Sequence, residues 1–438
     1  GTSDMDESVR LSGLSMVHGL QHALAAVGGI VAAPLIIALG MGLSAEDTRY
    51  IIGAALVISG VATVLQIVKI GPFGSGLLSI QGTSFAFVGP LIFVFHDLSA
   101  RASGDSVLGI VFGSALICAL VMVILTPFIR ELRRVVTTNV TSLTLVLIGA
   151  SLVITTTQNL WSSYAEVAVP QQNLIVSGLT LLTLVTFTAL PFAHFRPLSI
   201  VASLVAGTMA ATYLGWISWS EVEINWQVFY PKVLPFGFGL DWMTVFILLP
   251  IFLVSATESI GDLTATNALS GYTHGDSAYW RRIRGGLMGD ALNSVVASVF
   301  ATFPNTTFSQ NNGLIRLTGI SRPTVGLYAA AILIGLGLVP VFSVLVQMIP
   351  VQVVSTVTVV LFALVALAGL QLFLRHVATP RDYAVFMGGA VGGYGLSMLA
   401  EGWQSLPELV VQFLSFPVST GALIGMSLEL LLPGRRAA

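Results

Sequence analysis

Long runs of apolar residues, separated by short stretches that are polar or contain Pro and Gly, dominate the pattern of the chain. Each run is predicted to be a membrane crossing, because about 20 apolar residues cross the hydrocarbon core of a bilayer as a helix. The pattern predicts fourteen transmembrane segments, at residues 13–40, 48–69, 82–96, 106–129, 134–155, 172–193, 197–218, 242–269, 284–303, 309–319, 323–348, 350–374, 381–399 and 414–432. The predicted fold class is an all-α polytopic membrane protein.

Two of these segments, 82–96 and 309–319, are too short to cross a core of ~30 Å as helix alone. Both follow stretches rich in Gly, Ser, Thr, Pro and Asn, so they are predicted to be half-helices preceded by extended strands. Aligning Gln81 with Gln310 places the two segments seven crossings apart, and an odd number of crossings inverts the second copy. A 7+7 inverted repeat is typical of transporters that bind substrate near the bilayer midplane. A pore built from such repeats is the alternative.

The basic residues are distributed unequally between the two sides of the predicted crossings. If the N-terminus is cytoplasmic, three basic residues lie outside, Arg49, Arg101 and Lys232. The other fifteen lie inside, namely Arg10, Lys69, Arg130, Arg133, Arg134, Arg196, Arg281, Arg282, Arg284, Arg316, Arg322, Arg375, Arg381, Arg435 and Arg436. The positive-inside rule therefore predicts that both termini are cytoplasmic and that the number of crossings is even.

Composition excludes several classes of protein. Of 438 residues 55% are hydrophobic and 9% are charged, against roughly 25% charged in a soluble domain. A net charge of −2 gives no reason to expect a nucleic-acid partner. Cys118 is the single cysteine, so neither an intrachain disulfide nor a cysteine metal site is expected. Neither Lys69 nor Lys232 follows a glycine, and no HExxH or GxSxG motif occurs, so ATP drive and enzymatic activity are not expected.

Ionisable residues inside predicted spans cost roughly 2.5–3.5 kcal/mol each and are functional candidates by default. Glu258 and Asp262 are four residues apart, one helical turn, so at least one of them is expected to hold a proton or to have a fixed donor nearby. The alternative is that one of the pair caps a neighbouring helix or pairs with an arginine. Asp290 is expected to bond backbone donors or to carry a proton, and His22 to organise the site. Glu429, near the end of the last segment, is expected to reach the interface.

The stretch before segment ten is too polar to face lipid. Residues 305–312 offer amides and hydroxyls that either satisfy an irregular backbone or bind a ligand. The amide of Gln310 combines a donor and an acceptor and matches the edge of a flat heterocycle. Phe308 and Phe85 are candidates to cover the faces of such a ring, or they only pack.

Several motifs resemble the nucleobase-ascorbate transporter family, the type two nucleobase cation symporters, over essentially the whole chain. The signature is Gln310-Asn311-Asn312-Gly313, four further residues and then Thr318-Gly319. It is accompanied by Gln21-His22, by the run ESIGDLTAT that starts at Glu258, and by Gly289-Asp290. Several matches in the right order make the resemblance specific.

The resemblance implies a core domain and a gate domain, with substrate between them and homodimers formed through the gate. The implied ranges are an N-terminal cytoplasmic tail at 1–12, core segments at 13–129 and 242–348, and gate segments at 130–241 and 349–438. It also implies a multi-pass protein of the bacterial inner membrane.

The resemblance implies roles for nine residues. Those implied to bind substrate are Glu258, Gln310, Phe308, Phe85 and Ser84. Asp290 and Asp262 are implied in proton coupling, and His22 and Asn311 in a supporting polar network. No catalytic residue, metal ligand or cofactor is implied beyond a co-transported proton.

The first signature position separates subfamilies: glutamine there goes with xanthine and uric acid, glutamate with uracil and proline with ascorbate. Gln310 thus predicts a proton-coupled symporter of an oxidised purine nucleobase, and Ser84 leans toward uric acid or dual specificity. A uracil symporter of the same family and an inorganic anion exchanger of the same fold are the alternatives.

Overall fold

The computed structural model of the chain describes residues 2–101, 106–166, 170–191, 195–375 and 377–434. The chain forms two compact units, each assembled from three separated stretches. Unit 1 comprises Gly1–Ser84, Ala168–Pro235 and Ser259–Val357, and unit 2 comprises Phe85–Val167, Phe236–Glu258 and Thr358–Ala438. The core and gate ranges given above stay a prediction. Arg435 and Arg436, counted on the cytoplasmic side, lie outside the described residues.

The described part of the chain is mostly helical. In chain order its helices and strands are α1 (Thr2–Met41), α2 (Ala45–Val68), β1 (Gln81–Thr83), α3 (Val88–Arg101), α4 (Val107–Leu125), α5 (Ile129–Leu132), α6 (Thr138–Glu166), α7 (Pro170–Ala189), α8 (Ser199–Tyr213), α9 (Trp242–Leu269), α10 (Ser277–Val299), β2 (Asn305–Thr307), α11 (Gln310–Thr318), α12 (Pro323–Leu338), α13 (Pro340–Gln347), α14 (Val351–Leu374), α15 (Pro380–Gly402), α16 (Glu408–Leu414) and α17 (Pro417–Leu431). The extended segments predicted before the two short helices are the strands β1 and β2.

Side-chain caps fix where several helices begin. The hydroxyl of Ser44 accepts a hydrogen bond from Asp47 N at the start of α2, and the carboxylate of Asp276 accepts one from Tyr279 N at the start of α10. Thr379 and Asp382 form a reciprocal capping box at the start of α15. Such caps satisfy amide groups that have no partner inside the helix.

In unit 1, α2 packs against α1, α10 and α12. Glycines allow α2 and α12 to approach closely: a Cβ on Gly60 would lie 2.7 Å from the Ala330 carbonyl oxygen, and one on Gly337 would lie 2.9 Å from Val57 N. Small residues at such contacts let helix backbones pack tightly where lipid gives no hydrophobic driving force. In unit 2, α6, α15 and α17 pack together.

Among the described residues, eight helices are long and apolar enough to cross a membrane, and a bent pair would make a ninth. Fourteen crossings stay a prediction. The segment predicted at 323–348 contains two helices, because α12 and α13 meet at a bend of 76° beside Pro340. Proline lacks the amide hydrogen and its ring clashes with the preceding turn. Pro417 likewise begins a new helix within the segment predicted at 414–432.

The expectation that the side chain of Glu429 reaches the membrane interface is wrong. Its side chain is buried in unit 2, where Arg381 Nη1 donates to Oε2 at 2.8 Å. Thr137 Oγ1 and Asn139 Nδ2 donate to Oε1 at 2.7 and 3.0 Å. Asn139 Nδ2 also contacts Asp382 Oδ1 at 3.0 Å. These donors make burial of the carboxylate tolerable, because buried charges require paired and hydrogen-bonded surroundings.

Asp241 forms a second ionic cluster in unit 2, just before α9. Arg101 Nη2 donates to its carboxylate at 3.1 Å and to Asp97 at 2.8 Å, while Thr244 donates through N and Oγ1 at 3.0 and 2.7 Å. Burial raises the pKa of Asp241, but the hydrogen bonds from Arg101 and Thr244 outweigh it and hold the pKa below its ordinary value. The cluster ties α3 to the start of α9.

Replacing Asp241 by alanine is expected to lower the free energy of unfolding by about 1–2 kcal/mol, the usual cost of losing a helix cap. Asp241→Asn is expected to cost less, because asparagine retains a capping acceptor. The lowered pKa means that the ionised carboxylate stabilises the fold above its unfolded value of about 4, and that this contribution is lost as pH falls through the folded value. Thermal unfolding of both variants at pH 7 and at acid pH checks this. The expectation would be contradicted if the difference in stability between Asp241→Asn and the unaltered protein did not become smaller at acid pH.

Candidate functional site

The two strands form a short antiparallel ladder within unit 1. Gln81 pairs with Thr307, Gly82 with Thr306 and Thr83 with Asn305. Phe308 N donates to Ile80 O at 2.9 Å and thereby extends the ladder by one bond. The pairing satisfies backbone groups that lipid could not satisfy, and it places the side chains of Gln81 and Thr307 next to each other.

Asp290 lies on α10 behind this ladder, and its side chain is buried. Thr307 Oγ1 lies 3.2 Å from both carboxylate oxygens, and Gln66 Nε2 lies 2.9 Å from Oδ1. These donors are side chains of α2 and β2, and the backbone N–H of Thr307 contributes a further hydrogen bond to Asp290. Gly289 makes room for them, since a Cβ there would lie 2.8 Å from Gln66 Nε2.

The amide of Gln66 is held from both ends by backbone groups. Its nitrogen donates to Gly286 O at 2.7 Å, and its oxygen accepts from Ser75 N at 3.0 Å. A carbonyl only accepts and an amide N–H only donates, so the orientation of this amide is fixed. Gln66 therefore always presents a donor to Asp290.

Gln81 completes the surroundings of Asp290. One terminal atom of its amide lies 2.6 Å from Asp290 Oδ1 and 3.1 Å from Thr306 O. The other lies 3.0 Å from Ser79 Oγ and 3.1 Å from Thr307 Oγ1. Asp290, Gln81 and Thr307 therefore form a closed triangle of hydrogen-bonding side chains.

One turn further along α10, Ser294 fixes the start of β2. Its hydroxyl accepts from Asn305 N at 3.2 Å and donates to Asn305 O at 3.3 Å. Asn293 donates to Ala62 O of α2 at 3.3 Å. Helix α10 thus contacts both the ladder and α2 through side chains one turn from Asp290.

His22 and Asn311 form a second polar pair of unit 1. Asn311 Nδ2 lies 2.9 Å from His22 Nδ1 and 3.1 Å from His22 O, and both side chains are buried. An amide nitrogen donates, so His22 Nδ1 is the acceptor and the ring proton lies on Nε2. This contact links α1 to the first turn of α11. The two residues assigned to a supporting network are therefore in direct contact.

The half-helix α11 begins at Gln310, which is half-buried. Its neighbour Phe308 is buried and packs so closely on β1 that a Cβ on Gly82 would lie 2.6 Å from the phenyl ring. Asn312 Nδ2 donates to the backbone oxygen of Asp262 at 3.3 Å, which ties α11 to α9. The first turn of α11 is thus positioned by α1, α9 and β1.

The other candidate residues fall on both sides of the division into units. Glu258 and Phe85 belong to unit 2, whereas Gln310 and Phe308 belong to unit 1. Glu258 and Asp262 are half-buried and one turn apart in the continuous helix α9. Their assignment to substrate binding and coupling stays a prediction.

Ser84 is buried, and its amide donates to Pro304 O at 2.9 Å. Phe85 packs edge to face on Phe362, with ring centroids 6.1 Å apart. Their implied roles in substrate binding also stay predictions.

Sequence reasoning missed Gln66 and Gln81 as partners of Asp290. Gln66 is an uncharged amide close to the end of an apolar run, so it carries no ionisable group that would mark it as a candidate. A search for every strongly polar side chain in a span would have found Gln66, but not its contact with α10. Across the described residues, no group of three His, Cys, Asp or Glu side chains is placed to hold a metal ion.

Comparison with known proteins places the chain among transporters. Residues 13–399 match the family model Xan_ur_permease, which is described as a permease family. Xanthine permease XanP of Escherichia coli K12 is 33% identical over 419 residues, which cover 94% of this chain and 90% of that protein. Xanthine permease XanQ of the same strain is 29% identical over 425 residues, with coverage of 96% and 91%.

Solved structures share the fold at low sequence identity. The transmembrane domain of the cyanobacterial bicarbonate transporter BicA has a TM-score of 0.58 at 16% identity, covering 85% of this chain and 93% of that one. The murine anion transporter Slc26a9 in its inward-facing state has a TM-score of 0.60 at 12% identity, covering 95% and 67%. These similarities show a common membrane-protein fold.

Proposed function

The chain belongs to the permease family of nucleobase-ascorbate transporters and is a transporter, not an enzyme, and on this premise we propose that it imports an oxidised purine nucleobase together with a proton. The observation that carries the proposal is the position of Gln310. It is the first residue of α11 and follows the ladder whose residues Gln81 and Thr307 contact Asp290. Two relatives named xanthine permeases, aligned over most of the chain, support xanthine as substrate.

In this proposal the purine is recognised through its edge and its faces. The amide of Gln310 donates to one ring position and accepts from another, while Glu258 accepts ring N–H groups through charge-assisted hydrogen bonds. Phe308 and Phe85 contact the faces of the ring, and Ser84 contributes to the choice between xanthine and uric acid. Oxidised purines carry several N–H donors, which suits a carboxylate acceptor.

Proton coupling is assigned to Asp290, assisted by Asp262. An external proton neutralises Asp290 and favours the purine-loaded state, and both are then released to the cytoplasm. The partners of Asp290, Gln66 and Thr307, are uncharged. No fixed positive charge therefore has to be displaced before a proton is bound. No cofactor is required.

The proposal includes the architecture that the family resemblance implies. Fourteen crossings form two inverted repeats of seven, a core moves against a gate, and gates of two copies form a homodimer. The protein lies in a bacterial inner membrane with both termini in the cytoplasm, as the distribution of basic residues suggests.

The purified protein is expected to be stabilised against heat by its substrate, because a ligand that binds only the folded state raises its stability. The ligands to compare are xanthine, uric acid, hypoxanthine, uracil, ascorbate, bicarbonate and sulfate. Ligand at 100 times its dissociation constant stabilises by about 2.7 kcal/mol. A shift confined to xanthine or uric acid supports the proposal. A shift with uracil alone, or with the inorganic anions alone, would favour one of the two alternative transporters.

Replacing Gln310 by glutamate is expected to weaken purine uptake relative to uracil uptake by about tenfold, roughly the effect of one mismatched polar contact of 1–2 kcal/mol. The carboxylate removes the donor that the amide offers and retains only acceptors. Competition of each base against labelled xanthine measures the preference, with Gln404→Glu, the same change at an exposed position, as the matched control. An unchanged order of preference would mean that another residue selects the base.

A further inference from the structure

The amide of Gln81 differs from that of Gln66 in its freedom to reverse. Apart from Asp290 and Thr306 O, its neighbours are the hydroxyls of Ser79 and Thr307. A hydroxyl can donate or accept, so these two partners are retained whichever way the amide points. Gln66, with backbone groups at both ends, has no such freedom.

Each orientation of Gln81 fits one protonation state of Asp290. With nitrogen toward the carboxylate, the amide donates to Oδ1 at 2.6 Å and to Thr306 O at 3.1 Å, while its oxygen accepts from Ser79 and Thr307. This arrangement suits an ionised carboxylate. With oxygen toward it, two oxygens are 2.6 Å apart, the length of an O–H···O bond, which requires a proton on Asp290.

Reversal changes the direction of the Asp290–Gln81 and Gln81–Thr307 bonds, and it decides whether the single hydroxyl hydrogen of Thr307 is donated to Asp290 or to Gln81. In the protonated state Asp290 donates to Gln81 Oε1, Gln81 Nε2 donates to Thr307 Oγ1 at 3.1 Å, and Thr307 donates to the second carboxylate oxygen at 3.2 Å. In the ionised state Gln81 donates to Asp290, and Thr307 donates to Gln81. The same three side chains thus stay hydrogen-bonded in both states without a change of rotamer beyond the amide, although the protonated state places Gln81 Oε1 3.1 Å from Thr306 O with no hydrogen between them.

Reversal also alters the backbone of β2. Only the ionised state lets Gln81 donate to Thr306 O. This carbonyl lies in the strand that leads directly into Phe308 and Gln310. Loss of this hydrogen bond on protonation therefore affects the strand that precedes the residues proposed to bind the purine.

The groups that face Asp290 are Gln66 from α2, Gln81 from β1, Thr307 from β2 and Ser259 from α9. None of them titrates. Within the described residues, the side chains that hydrogen-bond Asp290 are all uncharged. The state of this cluster is therefore governed by the proton on Asp290 itself.

We propose that Gln81 is a positioning residue whose amide reverses when Asp290 binds a proton and so transmits the protonation state to strand β2. This inference rests on the proposed function in that Asp290 is taken as the coupling carboxylate. It adds a specific side chain, Gln81, that connects the protonation of Asp290 to the segment proposed to bind the purine.

Infrared difference spectroscopy of the full chain in lipid nanodiscs, recorded between neutral and acid pH without substrate, tests the proposal. A protonated carboxyl band is expected to appear on acidification and to be absent in Asp290→Asn. A side-chain amide carbonyl band is expected to change with the same midpoint, to move on ¹³C labelling of glutamine, to vanish in Gln81→Met and to persist in Gln66→Met. A carboxyl band without any glutamine change in the unaltered protein would overturn the proposal.

The two glutamine variants are also expected to raise the midpoint pH of the carboxyl band by different amounts. Gln66→Met removes a donor that serves the ionised form more strongly, so the midpoint should rise by about one pH unit. Gln81→Met removes a donor to one form and an acceptor from the other, so the rise should be less than half as large. An equal or larger rise in Gln81→Met would make Gln81 a fixed donor and refute reversal. The labelled, unaltered protein decides the matter even where a variant does not fold.

These readouts separate the inference from the proposed function. If purine did not bind but the carboxyl and glutamine amide bands changed with the same midpoint, the proposed substrate would be rejected and the reversal of Gln81 retained. If purine uptake were driven by protons but the glutamine amide band did not change, the proposed function would be retained and the reversal of Gln81 rejected.

Discussion

Glu258→Gln is expected to abolish high-affinity purine binding and uptake. The half-buried carboxylate of α9 is assigned as the acceptor of ring N–H groups, and hydrogen bonds to a charged group contribute about 1.5–3 kcal/mol each. Loss of two such bonds corresponds to a fall in affinity of at least about 100-fold. Glutamine preserves the size of the side chain, so the effect isolates the loss of charge.

Two measurements check this expectation: thermal stabilisation by xanthine or uric acid, and uptake by cells that produce the variant. The matched control is Glu401→Gln, the same change at an exposed position near the end of α15. That control should bind and transport normally. Near-normal affinity in Glu258→Gln would remove this residue from the binding site.

Asp290→Asn is expected to lose proton-driven accumulation while retaining purine binding and exchange. A transporter that carries a neutral purine with one proton gains about 2.3 kcal/mol per 100 mV of membrane potential, which sustains roughly forty-fold accumulation. Asparagine cannot bind the proton, so the internal purine concentration should only reach that outside. Binding is expected to survive because Asp290 contacts Gln66 and Thr307 and is held apart from direct recognition of the base.

Accumulation and counterflow exchange in proteoliposomes separate these two activities. Asp276→Asn supplies the control, because it makes the same change on the same helix and asparagine is an equally good cap. It should accumulate purine like the unaltered protein. Unchanged accumulation in Asp290→Asn would mean that the proton is carried elsewhere.

Local features of the site were predictable from the sequence. The extended strands were predicted because residues rich in Gly, Thr and Asn interrupt apolar runs, and irregular backbone at that depth must find partners in protein. The contact of His22 with Asn311 was suggested only through the family resemblance. Spacing along the chain could not have provided it, since the two residues are 289 positions apart.

Features that depend on distant partners were not predictable. Gln66 is a single amide in an apolar helix, and its partner Asp290 lies 224 residues further along the chain, on α10. Glu429 is expected to reach water unless Arg381 and Asn139 are known to surround it. In both cases burial depends on donors from other helices, and a single sequence does not reveal those pairings.

The ladder between β1 and β2 has a consequence for the biogenesis of the protein. Strand β1 emerges from the ribosome 226 residues before Thr307, the partner of Gln81. Until the second half of the chain is inserted, the backbone groups of 81–83 lack their strand partners in an environment where lipid offers none. Water, or the protein machinery that inserts the chain, has to satisfy them during this interval. Maturation of unit 1 is therefore a late event, completed only after α10 and β2 have been synthesised.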